Sequence, residues 1–122
     1  MATAPFCAFC EIMAGRGPAD VVAEWPDALA FKPRNPVTEG HTLVVPRTHV
    51  RNATVDPMVA GATMANAARL TRRMISAEQM SGANIITSVG RVATQSVFHL
   101  HLHIVPRRDN DGLHLPWTGQ AS

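Results

Sequence analysis

Three histidines stand at alternate positions in Phe98-His99-Leu100-His101-Leu102-His103-Ile104-Val105, with an apolar residue in each gap. A period of two is the mark of a β-strand, whose successive side chains point to opposite faces. Read so, residues 97–105 form one strand with His99, His101 and His103 along one face. Phe98, Leu100, Leu102 and Ile104 then bury the other face. A row of imidazoles on a rigid strand, with Gln95 and Ser96 just ahead of it, has the form of a reaction surface.

Imidazole is a common metal ligand, but one ion cannot gather all three rings. At about 3.3 Å per residue the α-carbons of His99 and His103 lie about 13 Å apart, whereas a zinc–nitrogen bond is only about 2 Å. Two neighbouring rings can share an ion, or an end ring can join ligands from elsewhere and leave the middle ring free. An imidazole can also attack phosphorus as a nucleophile. Its neighbours would then hold its tautomer and offset the charge on phosphoryl oxygens. No carboxylate lies in or immediately before the strand, so a glycosidase-type acid/base pair is not indicated. Gln95 and Ser96 are neutral donors, which orient an anionic phosphate without repelling it.

The 122 residues suit one domain with a real core, and 46% hydrophobic against 16% charged residues argues for a globular chain. The formal net charge is only +2, with no basic run or aromatic-basic repeat, so nucleic acid is not an expected partner. Lys32 is the sole lysine; arginines such as Arg34, Arg107 and Arg108 carry the forked donors that suit phosphate. No targeting signal is read at Met1–Phe6 and no apolar run approaches the roughly 20 residues that cross a bilayer. A cytoplasmic protein without a membrane partner is expected. In that compartment Cys7 and Cys10 read as thiolates for metal or redox work rather than as a disulfide.

Along the chain, residues 7–14 predict a short helix stopped by Gly15 and Gly17-Pro18. Val21–Trp25 and Ala28–Phe31, separated by Pro26-Asp27, predict a hairpin. Residues 42–45 predict a third strand ended by Pro46. Asp56 can cap a long helix with Pro57 in its first turn. That helix runs to about Ala77, with Met58, Val59, Ala62, Ala65, Leu70 and Met74 at helical spacing. Residues 83–87 predict a fourth strand and residues 97–105 the fifth. The expected class is α+β, a five-stranded antiparallel sheet with one long helix and a short N-terminal helix. One domain spans 1–122, and about 108–122 form an irregular tail in which Trp117, beside Pro116, can act as an anchor.

His99-Leu100-His101-Leu102-His103-Ile104-Val105 resembles the His-φ-His-φ-His-φ-φ signature of the histidine triad (HIT) family of nucleotide hydrolases and transferases, φ being apolar. The likeness extends from Cys7-Ala8-Phe9-Cys10 through Phe31, Asn35-Pro36 and Gly40–His49 to Thr94–Phe98 and Pro106-Arg107. It implies a HIT domain that forms a homodimer around the long helix and works in two steps. His101 would attack the α-phosphorus of a purine nucleoside phosphoramidate, nucleotide ester or dinucleoside polyphosphate, and water would release the nucleotide. By the same likeness His103 and Ser96 bind phosphate oxygens, Gln95 orients the phosphoryl or leaving group, and His41 supports the triad. Phe9, Ile12, Phe31 and Leu43 fall at nucleoside-pocket positions, though each also reads as core. Bacterial relatives complete a structural zinc site at Cys7 and Cys10 with two histidines, here His49 and His99.

Three positions depart from the family pattern. Pro33 stands where relatives carry an Asp or Asn that holds the ribose hydroxyls, Ser88 where many have asparagine, and Thr94 where many have glycine. Two competing readings follow. One is a nucleotide-binding interaction module with little turnover; the other is a zinc protein whose ion is catalytic.

Overall fold

In the computed structural model, which describes residues 6–117, the expected five-stranded antiparallel sheet forms. Expectations for residues 1–5 and 118–122 lie outside the described residues. Strands β1 (Val21–Trp25), β2 (Ala28–Phe31), β3 (Thr42–Pro46), β4 (Gly82–Ile86) and β5 (Leu102–Arg107) lie in the order β1-β2-β3-β5-β4. Helix α1 (Ala8–Met13) and helix α2 (Pro57–Ser76) complete the fold. No helix among the described residues is long and apolar enough to cross a membrane.

The central strands are buried on both faces, so they read as continuous apolar runs. Ala30, Val44, Leu102 and Ile104 pack with Leu70 and Met74 of α2. Their alternates Leu29, Phe31, Leu43 and Val45 pack with Phe9 of α1 on the opposite face. Phe31 pairs with Leu43, and Leu43 with His103. Cross-strand partners share a face, so His103 projects on the α1 side. The triad side of the sheet is thus the face that α2 does not cover.

Helix α2 begins as its sequence predicts. The Asp56 carboxylate accepts the Met58 N–H at 3.0 Å, and Pro57 occupies the first turn. Its inward stripe differs from the apolar spacing. Thr63, Asn66, Ala67, Leu70 and Met74 are buried, while Met58 is 81% exposed. Two polar residues enter because their hydrogen bonds are made inside. Thr63 donates to the Val59 carbonyl at 2.8 Å, and Asn66 to the Asp27 carboxylate at 3.1 Å.

The fifth strand corrects the sequence reading. It starts at Leu102, not Val97: Leu102 pairs with Val44 of β3, His103 pairs with Ile86 at the end of β4, and no earlier residue pairs with either strand. Upstream, the backbone is held by other partners. Leu100 N–H donates to the Val50 carbonyl at 2.7 Å, and the Thr87 hydroxyl to the His101 carbonyl at 2.8 Å. Phe98 is not buried; it is 37% exposed, with the Arg51 guanidinium 5.0 Å from its ring centroid. Among the described residues the tail past Arg107 has no helix or strand, and Trp117 is 67% exposed. The tail is pinned by Asp111 instead, whose carboxylate accepts from Arg107 at 2.8 Å and from the N–H groups of Arg108 and Leu113, both at 3.0 Å.

Thr94 occupies a left-handed conformation at φ 72°, ψ 19°, closing the short 3-10 turn Arg91–Ala93. A β-branched residue there carries about 1–2 kcal/mol of steric cost. Glycine meets no such cost but gives up more chain entropy. Thr94→Gly is therefore expected to raise stability by about 0.5–1 kcal/mol, seen as a melting point a few degrees higher. An unchanged or lower melting point would contradict the strain.

Candidate functional site

Phe9 of α1 links the two halves of the site. Its ring packs edge-on against Phe31 (centroids 5.4 Å apart), His99 (5.9 Å) and His101 (5.1 Å). Behind it lies a metal-type cluster, and in front of it an open cavity. His99 belongs to the first and His101 to the second. Both precede Leu102, the first residue of β5.

In the cluster, Cys7, Cys10, His49 and His99 bring their four ligand atoms within 4.8 Å of one another. Cys7 caps α1, and its sulfur accepts the Cys10 N–H at 3.3 Å, so both thiols face one side of the first helical turn. The Nδ1 atom of His99 lies 3.4 Å from the Cys7 sulfur, 3.6 Å from that of Cys10 and 3.0 Å from His49 Nδ1. His49 Nδ1 is 3.3 Å from the Cys10 sulfur. A tetrahedral zinc ion, with bonds of about 2.3 Å to sulfur and about 2.0 Å to nitrogen, holds its ligand atoms about 3.3–3.8 Å apart. The cluster fits that size, and two sulfurs with two nitrogens form a donor set suited to zinc.

Hydrogen bonding also fixes the ligand form of His99. Burial pulls its pKa down to about 4, so the ring is neutral near pH 7. The ring is 0% exposed, and its Nε2–H donates to the Pro46 carbonyl at 2.8 Å, which leaves Nδ1 bare toward the thiols. Burial, then the neighbouring Cys7, raises the Cys10 thiol to about 11; a bound cation reverses that preference by taking the thiolate. Cys7, Cys10, His49 and His99 therefore make a zinc site that ties the start of α1 to the segments after β3 and before β5.

The cavity, about 990 Å³, opens on the other side of Phe9. Phe9, Ile12, Phe31 and Leu43 form its apolar floor; Ser96, His101 and His103 line it too. Its size and mixture suit a small organic ligand. The ring of His101 is held by its Nδ1–H, which donates to the carbonyl of His99 at 2.7 Å. Burial lowers the His101 pKa below the ordinary 6.5, so this ring is neutral at pH 7 and its Nε2 carries a lone pair.

The tautomer of His103 follows from a chain of hydrogen bonds. Val37 N–H can only donate, and it does so to His41 Nδ1 at 3.1 Å. Neutral His41 must then carry its proton on Nε2, which donates to His103 Nδ1 at 2.9 Å. His103, its pKa pulled down to about 4 by burial, keeps its own proton on Nε2. Adjacent rings on one surface are thus set oppositely: His101 offers a lone pair, and His103 offers a proton.

Three other residues singled out by the sequence, His41, Ser88 and Gln95, lie outside the cavity lining. His41 stands behind His103 rather than in the cavity lining, and Ser88, just past β4, does not line it either. Gln95 is 3% exposed, with every polar atom of its amide engaged by backbone. Its Nε2 donates to the carbonyls of Arg51 (2.8 Å) and Val97 (3.0 Å), and its Oε1 accepts from Gly90 N–H (2.8 Å). Here it shapes the loop ahead of the triad. The cavity's polar rim carries Asp20, Lys32, Arg34 and Asn35; sequence reading named Arg34 as suited to phosphate but did not gather these residues into a rim. The hairpin was the available signal, since Lys32 N–H donates to the Asp20 carbonyl at 3.0 Å where β1 and β2 leave the sheet.

Residues 14–110 match the HIT domain. An uncharacterised HIT-like protein of Methanocaldococcus jannaschii is 40% identical over 106 residues, 87% of this chain and 82% of that one. The adenylylsulfatase HINT3 of Arabidopsis thaliana is 30% identical over 116 residues, 94% of this chain and 57% of that one. Among solved structures, a zinc-bound histidine triad family protein from Mycobacterium smegmatis superposes with a TM-score of 0.81 at 40% identity, over 88% of this chain and 79% of that one.

Proposed function

The chain belongs to the HIT family, and from that premise we propose a nucleotidyl hydrolase or transferase that cleaves at the α-phosphorus of purine nucleotides. Its substrates are nucleoside phosphoramidates, nucleotide esters or dinucleoside polyphosphates. The observation that carries this reading is the tautomer of His101, whose Nδ1–H is spent on the His99 carbonyl while the ring lines the cavity.

In the first step the lone pair on His101 Nε2 attacks phosphorus. A P–N bond forms as the bond to the leaving amine, alcohol or phosphate breaks, and the leaving group departs with that electron pair and takes up a proton. The Nε2–H of His103 and the hydroxyl of Ser96 donate to the non-bridging oxygens, where charge gathers. In the second step water attacks phosphorus, the P–Nε2 bond breaks, and the electron pair returns to His101 while the water proton passes to solvent. An alcohol or amine acceptor in place of water makes the same step a transfer. Phe9, Ile12, Phe31 and Leu43 take the base. Gln95 acts as a positioning residue for the loop, and His41 for the His103 tautomer. Zinc held by Cys7, Cys10, His49 and His99 supplies a structural cross-link away from the cavity. The exposed Val55, Met58 and Met64 around α2 suit burial in a homodimer.

A substrate panel tests this. Adenosine 5′-phosphoramidate, an AMP ester and a diadenosine polyphosphate are offered to the purified protein, and release of AMP is followed. Turnover of at least one is expected. Tight binding with negligible turnover of all three favours the interaction module instead.

A further inference from the structure

The cavity has two kinds of wall. Its floor is apolar and its inner end carries the histidines, but the loop after β2 places two cations on its rim, Lys32 and Arg34. Arg34 is exposed and makes no hydrogen bond or ion pair among the described residues. Lys32 approaches Asp20 at 3.6 Å, and both partners are exposed, so that pair is weak and readily exchanged. Pro33, between them, has no side-chain donor or acceptor. The one carboxylate on this rim, Asp20, is already turned to Lys32.

The sheet register sets the distance from this wall to the triad. His103, Leu43 and Phe31 form one cross-strand row, so Phe31 stands two strand spacings, about 10 Å, from His103. Lys32 follows Phe31 directly. With phosphorus at His101 and a base on the apolar floor, the sugar spans the gap and turns its 2′ and 3′ oxygens to the rim. A wall that reads plain ribose hydroxyls offers a free carboxylate; an arginine in that place accommodates a phosphate. Arginine also binds phosphate in two-pronged fashion.

We propose that the Lys32–Arg34 wall selects nucleotides bearing a second phosphate on the ribose, at the 2′ or 3′ oxygen, with Arg34 as the main anchor. This rests on the reading that places the 5′-phosphorus at His101. Binding is measured by calorimetry on the full chain with AMP, adenosine 2′,5′-bisphosphate, adenosine 3′,5′-bisphosphate and ADP. At least one ribose bisphosphate is expected to bind about tenfold more tightly than AMP and than ADP. The Arg34→Ala variant should bring that ratio close to one, and Asp20→Asn, which frees Lys32, should increase it. Ribose bisphosphates no tighter than AMP overturn the proposal. So does an equal gain with ADP, which shows the cations reading the 5′-phosphate chain, or a preference that survives Arg34→Ala. Turnover separates this from the parent reading. Equal kcat/KM for adenosine 5′-phosphoramidate and for both its 2′-phosphate and its 3′-phosphate sinks the ribose assignment alone. A bisphosphate preference in binding without any turnover sinks the hydrolase reading alone.

Discussion

His101→Ala is expected to lower kcat by on the order of 10⁴-fold or more, because no other group on the cavity wall pairs a bare ring nitrogen with a fixed orientation. That loss corresponds to about 5.5 kcal/mol of transition-state stabilisation. His103 does not replace it. Its Nδ1 accepts from His41, so its outward nitrogen carries a proton and cannot attack phosphorus. The variant should still fold, because the ring sits at the edge of the cavity and its removal deletes one hydrogen bond, to the His99 carbonyl. Such a bond contributes about 1 kcal/mol. Mononucleotide affinity should persist, since His103, Ser96 and the apolar floor remain. Circular dichroism and nucleotide titration check folding and binding, and single-turnover kinetics checks chemistry. Activity within tenfold of the parent would remove His101 from the role of nucleophile.

The second large effect concerns the metal. Purified protein is expected to hold about one zinc ion per chain, and Cys7→Ala should lose it, because a structural tetrahedral site depends on all four ligands. Stability should fall by several kcal/mol, roughly 10 °C or more in melting point at about 3–5 °C per kcal/mol for a domain of this size. The reason is local. His99 and Cys7 are both buried, and without the ion no coordinate bond links the two thiols of the α1 segment to the two imidazoles. Activity should fall together with stability on chelation, since His99 also supplies the carbonyl that orients His101. Activity lost while the melting point holds, then restored by added zinc, would instead identify a catalytic ion.

Much of this architecture is legible in the sequence, and the exceptions share a cause. The hairpin Val21–Trp25 with Ala28–Phe31 and the capped start of α2 at Asp56-Pro57 depend on local chemistry, and they appear where the sequence places them. The start of β5 does not. Alternation at Val97–His101 marks extended chain, but a strand also needs a paired neighbour: β4 ends at Ile86, and the Leu100 N–H turns to the Val50 carbonyl rather than to β3. The buried face of α2 was hidden for another reason. Asn66 is polar, and only the fold brings Asp27, 39 residues away, to satisfy it. At the site, Cys7-x-x-Cys10 alone is compatible with metal or redox chemistry. Its histidine partners lie 39 and 92 residues further on, a distance that spacing does not bridge and that the family resemblance did. The alternating histidines announced a surface, yet not its division of labour. Which nitrogen each ring exposes depends on Val37, Pro46 and the His99 carbonyl, contacts set by loops rather than by the strand period.

Acid-stable detection is unsuited to a phosphorus–nitrogen bond, so the decisive measurement uses a basic quench. The protein is mixed with adenosine 5′-phosphoramidate, stopped within one turnover at high pH, digested, and mapped by mass spectrometry. An adenylyl group on the peptide holding His101, absent from His101→Ala and decaying at the rate of AMP release, is the expected result. Rapid turnover with no adduct at any time, or an adduct on another residue, would contradict His101 as the atom that takes the phosphorus.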